Sequence, residues 1–97
     1  MDLINFFVGL GARDWNLGLR GAARGNHIDL IRFYIQLGTD NWNMGLRGSS
    51  EAGNTELVDF FIHKGANHWE LAYVSAFEGG HKELMAIFQN KMDMSII

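Results

Sequence analysis

Ninety-seven residues, 47% hydrophobic and 20% charged, match one ordinary globular domain, long enough to bury a core without disulfide or metal staples. With no cysteine and a net charge of −3, the chain has no disulfide framework and no Cys-based zinc site, and its weak acidity argues against phosphate-driven nucleic-acid binding. It shows no signal-peptide pattern and no apolar run near the about 18 residues of a spanning helix, so no membrane partner is expected and a cytoplasmic location is.

In chain order, the first segment is "MDLINFFVGLG" (1–11), a helix pattern within a half unit, 1–14. The next is "WNLGLRGAARG" (15–25), where Trp15, Leu19, Ala22 and Ala23 fall on one side of a 3.6-residue wheel. Asp14 is its expected N-cap. Then "IDLIRFYIQLG" (28–38) repeats the opening pattern: an acid near the front, apolar residues at Leu30, Ile31, Tyr34 and Leu37, and a closing glycine. The spacing predicts an amphipathic helix with an acid by its positive end and a left-handed glycine stop.

The phrase then returns. Trp15, Trp42 and Trp69 are 27 residues apart, as are Gly11, Gly38 and Gly65, with no insertion between them. A fixed period in this range marks a repeat array. The units are 15–41, 42–68 and 69–95, each a leading helix, a turn and a trailing helix. Asn41 and His68 stand where Asp14 does, His68 being the poorer cap. The turn slot holds Asn26, Gly53 and Gly80, residue types that tolerate left-handed backbone. Small residues recur on the leading helix: Gly18, Gly21 and Gly25, then Gly45, Gly48 and Ala52, then Ala72, Ser75 and Gly79. Glycine costs about 1 kcal/mol in a helix interior, so the recurrence predicts close approach of neighbouring helices. About four residues join one unit to the next, as from Gly38 to Trp42, too few for a β-hairpin. The predicted architecture is all-α, an α-solenoid of stacked antiparallel helix pairs.

Three segments, "AARGNHIDLIRFYIQLGTD" (22–40), "SSEAGNTELVDFFIHKGAN" (49–67) and "SAFEGGHKELMAIFQNK" (75–91), resemble ankyrin repeats over about residues 2–92. Two features depart from the family. Trp-Asn-x-Gly-Leu replaces its Thr-Pro-Leu-His opening, and each unit is shorter than the usual 33 or so residues, the deficit falling at the family's β-hairpin finger. Short units of this kind are similar to the ankyrin arrays of giant viruses of amoebae, which would make the cytoplasm that of a host. The resemblance implies a single non-enzymatic domain, ankyrin-like with fingers shortened or absent, binding another protein or peptide on its concave face without a cofactor. With no fingers, the leading helices would supply that face.

Chemistry-bearing side chains weigh the same way. Asp29, Glu56 and Glu83 recur at the start of each trailing helix, where the helix dipole explains them, and no catalytic constellation is found. His63 and His68 lack the ligand spacing of a metal site. His81 falls where the family often has histidine after the turn glycine. The tryptophans fit an inter-unit core column, with an aromatic ladder stacking on bases or sugars as the alternative.

Pointing away from the Trp15 side are Leu17, Arg20 and Arg24, then Met44, Arg47 and Glu51, then Leu71, Val74 and Glu78. This is the expected partner-binding face. Residues 1–48 carry five arginines against four aspartates, and residues 49–97 three lysines against seven acids, a polarity suited to orienting a partner.

Gln89 replaces the Val8, Ile35 and Ile62 of earlier trailing helices, as a terminal cap requires. At the other end Leu3, Phe6 and Phe7 have no leading helix before them. That face belongs to a longer array or meets another copy, making a homo-oligomer. The competing functional class is therefore a building block that self-associates through its end faces and has no separate ligand. For the binding class, charge reversal at Arg20 and Arg47 is expected to weaken partner capture while leaving the melting temperature unchanged; equal capture by the variant would retire the face.

Overall fold

The computed structural model describes the backbone of residues 12–95 and the side chains of 17–94. The side chains of Asp14 and Trp15 and the apolar residues Leu3, Phe6 and Phe7 lie outside those described. The chain is all-α, with six helices and no strand among the described residues: α1 (Ala12–Arg24), α2 (Ile28–Gln36), α3 (Trp42–Ala52), α4 (Thr55–Lys64), α5 (Trp69–Gly79) and α6 (Lys82–Ser95). None of them is long and apolar enough to cross a membrane. They pair as α1 with α2, α3 with α4 and α5 with α6, while α1, α3 and α5 pack side by side in one continuous layer. Backbone contact among α2, α4 and α6 is sparse. The molecule measures 48 × 26 × 18 Å.

One turn, written three times, sets this pairing. Asn26, Gly53 and Gly80 have φ of 58°, 73° and 76°, the left-handed conformation anticipated for that slot. The next N–H then reaches back across the helix end: His27 to Ala22 O at 2.8 Å, Asn54 to Ser49 O at 3.0 Å and His81 to Ala76 O at 2.8 Å. These bonds satisfy carbonyls that the end of a helix would otherwise leave orphaned. The trailing helices α2 and α4 also end on glycines of positive φ, Gly38 and Gly65. The N-termini differ from expectation. α1 begins at Ala12, so Asp14 lies inside its first turn, and neither Asn41 nor His68 makes a side-chain cap bond. Of the trailing helices, α4 has a true cap, with Asn54 Oδ1 accepting from Leu57 N at 3.2 Å.

The core runs between the two layers. Leu19, Ala22 and Ala23 of α1 are buried, as are Leu46 of α3 and Ala72 and Ala76 of α5. They meet Ile31 and Tyr34, Leu57, Val58 and Phe61, and Leu84 and Phe88 from the trailing helices. Trp42 and Trp69 pack against this core but are only partly buried. Trp69 stacks on Phe88 of its own unit, centroids 6.3 Å apart, so it joins the two helices of that unit. Lys64 Nζ sits over the Trp42 ring at 5.9 Å and Lys91 Nζ over Trp69 at 5.6 Å. Lysines one unit apart thus cover both of these indoles.

The small residues serve two purposes. Gly18 and Gly45 make room for the Tyr34 and Phe61 rings of their own trailing helices, whereas Gly48 and Gly79 abut the carbonyl oxygens of Arg20 and Glu51 in the preceding leading helix. Gly21, in the same slot as Gly48, has nothing within 4 Å of where a Cβ would lie. The two glycines therefore respond oppositely to alanine. Gly21→Ala should gain stability, by up to about 1 kcal/mol from helix propensity. Gly48→Ala should lose about 1–3 kcal/mol to overpacking against backbone. Urea unfolding measures both, and an equal response at the two sites would contradict this packing.

Candidate interaction surface

The nine residues anticipated on the leading-helix face do not form one uniform surface. Leu17 and Val74 are 53% and 48% exposed. Arg24 and Glu78 are also exposed, while Met44, Arg47 and Leu71 are half-buried. Arg20 and Glu51 are bound to one another. Arg20 Nε donates to Glu51 Oε1 at 2.7 Å and Nη2 to Oε2 at 3.1 Å, a bidentate pair joining α1 to α3. Arg24 Nη1 and Arg47 Nε each lie 3.8 Å from the same carboxylate. Three guanidinium groups therefore converge on one carboxylate whose side chain is only 10% exposed.

This environment holds Glu51 below the ordinary carboxylate range. The hydrogen bond from Arg20 is the largest cause, partial burial works the other way, and the charges of Arg20, Arg24 and Arg47 add to the lowering. The same hydrogen bond raises Arg20, with Glu51 and Glu78 contributing charge. Arg20 is thus a structural tie between units. Reversing its charge would bring two carboxylates together, which corrects the expectation that such a change leaves the melting temperature untouched.

Two polar links carried no recognised signal in the sequence. Asn43 Oδ1 accepts from the backbone N–H of both Asn67 and His68 at 2.9 Å, pinning the loop that enters the third unit. Its signal was present in the recurrence of Asn16 and Asn43 after tryptophan. His81 Nε2 lies 3.0 Å from Glu51 O, and the ring fills the space beside Gly53 and Gly79. That histidine therefore ties the third unit to the end of α3. Among the described residues no three His, Cys, Asp or Glu side chains gather as a metal cluster would require.

On the opposite side, the loosely spaced α2 and α4 leave an apolar groove of about 230 Å³ lined by Ile28, Ile31, Ile35, Leu57 and Phe60, with Arg32 and Glu56 among its polar residues. Compared with protein-family models, curated proteins and solved structures, the chain has no match.

The lowered Glu51 has a signed consequence. Its contribution to stability is present above the unfolded carboxylate pKa of about 4.3 and is lost as pH falls through the lower folded value. Glu51→Gln should therefore reduce the melting temperature at neutral pH and flatten the fall in stability on acidification. Parallel acid limbs for wild type and variant would contradict the role given to this carboxylate.

Proposed function

We propose that the chain is an ankyrin-like α-solenoid of short, fingerless units and a non-enzymatic module that binds a protein or peptide across its leading-helix face. The observation that carries this reading is the pairing of exposed apolar side chains, Leu17 and Val74, with a charged cluster on the same side of the leading layer. Such a mixture of apolar contact and polar rim suits a polypeptide partner. The ankyrin-like resemblance is supported by the 27-residue step, which recurs as turns at Asn26, Gly53 and Gly80. It is also supported by the short links between units, where no strand occurs among the described residues.

The non-enzymatic reading is supported by the places of the described acids. Asp29, Glu56 and Glu83 occupy the first turns of trailing helices, and Glu51 is neutralised by arginines. The basic end of the face, with Arg24, and its acidic end, with Glu78, would fix the direction in which a partner lies.

Selection from a random displayed-peptide library tests the reading. Peptides that bind the wild type should lose at least about tenfold in affinity, equivalent to about 1.4 kcal/mol, toward a Leu17→Asp, Val74→Asp variant, with no change in melting temperature because both side chains are already exposed. Phe60→Asp, in the groove on the other side, should bind them undiminished. Peptides indifferent to the first variant and lost with the second would move the site to the trailing-helix groove.

A further inference from the structure

Each boundary between units buries one slot of the leading helix. Ala23 of α1 and Ser50 of α3 occupy it, and both are 0% exposed. In α5 the slot holds Phe77, which is 64% exposed. Val74, in the slot of Arg20 and Arg47, is exposed beside it. A phenylalanine presented to water where its counterparts are fully covered is an unpartnered inter-unit face.

The complementary face lies on α1. At the internal boundary Gly48 sits against Arg20 O and, at 3.1 Å from where its Cβ would be, the Cβ of Ala23. Its counterpart Gly21 is exposed and faces open space. One end of the leading layer thus carries a protruding ring, and the other carries a bare backbone in the slot that receives it.

Charge matches in the same register. Across the first boundary Arg24 Nη1 lies 3.8 Å from Glu51 Oε2, a contact between one slot and the same slot of the next unit. Carried past the third unit, that relation sets Glu78 against the Arg24 of another chain. The excess of acid in residues 49–97 and of arginine in 1–48 favours this head-to-tail order over head-to-head contact.

We propose that the Phe77 face of α5 docks onto the Gly21 face of α1 in a second copy of this chain, continuing the 27-residue stack from molecule to molecule. The contact uses the layer that already forms the internal boundaries, since α2, α4 and α6 make little backbone contact with one another. On the α6 flank, Lys82 and Gln89 replace the Ile28 and Ile35 that line the groove, so the trailing layer stays out of it. The contact is heterologous and does not close on itself, so it produces open-ended rods rather than a dimer. It goes beyond partner binding, because it draws Arg24 and Glu78, at the two ends of the leading-helix face, into a junction between chains.

Sedimentation velocity on residues 1–97 over a wide concentration range tests the proposal. The average mass should rise with concentration and pass that of two chains. Phe77→Asp and Gly21→Leu should each sediment as monomers with unchanged helical circular dichroism, the first side chain being mostly exposed and the second entering open space. An equimolar mixture of the two variants has one competent junction, the Phe77 of one against the Gly21 of the other. It should form dimers and stop there. A wild type that stays monomeric at every concentration, one that halts at a dimer, or a mixture that remains monomeric would each overturn the proposal.

Discussion

Helix backbones can touch only where side chains are missing, and the architecture of this chain follows from that. At the first boundary Gly48 of α3 meets the Arg20 carbonyl of α1, and at the second Gly79 of α5 meets the Glu51 carbonyl of α3. Each glycine costs helix stability in isolation, and dispersion contact along the joined helices offsets it. The trailing helices carry bulkier residues at their boundaries, among them Ile31, Ile35, Leu57 and Phe60. One layer is therefore tight and the other loose, and the groove between α2 and α4 is the space left over.

The close approach also determines what the polar side chains can do. With the backbones of α1 and α3 in contact, a side chain at position 20 reaches one at position 51, and the bidentate pair forms. The offset of 31 residues equals one unit plus one helical turn. The same offset links Arg47 to Glu78, yet Arg47 is nearer the Glu51 of its own helix. Glu51 thus collects three arginines and Glu78 is left at the acidic end. The resulting asymmetry along the axis distinguishes one end of the stack from the other.

Much of the fold was legible because the repeat wrote each requirement several times. Three residues able to adopt positive φ in one slot are hard to explain except by a turn, and buried Leu19, Ala22 and Ala23 were readable from a single wheel. What was hidden required knowing which unit touches which. Arg20 read as a surface cation because its partner is 31 residues away. Asn41 read as a cap because the residue type fits, while the bonding asparagine is Asn43, two positions on. Burial was misleading for two hydroxyls as well. Thr39 and Ser50 are buried with their Oγ atoms unpaired, in slots where other units carry Ala66 and Ala23. Polarity alone would have placed both outside, and only the comparison between units points inward.

The end of the stack shows why its two layers have to be read separately. Gln89 on α6 is exposed and donates to Asp93 Oδ1 at 3.1 Å, as suits a helix with water beyond it. From that residue alone the face reads as capped. A stack of units is held by nearest-neighbour contacts, and here those contacts belong to the leading layer, so the polarity of α6 says little about whether the boundary is satisfied. Phe77 does bear on it: a slot filled by alanine or serine wherever a neighbour exists holds a phenylalanine where none does. A ring of that size would crowd the backbone contact made at the first boundary, where even Gly48 faces only an alanine, so a helix docked there has to leave room beside its glycine, and α1 presents Gly21 with open space around it.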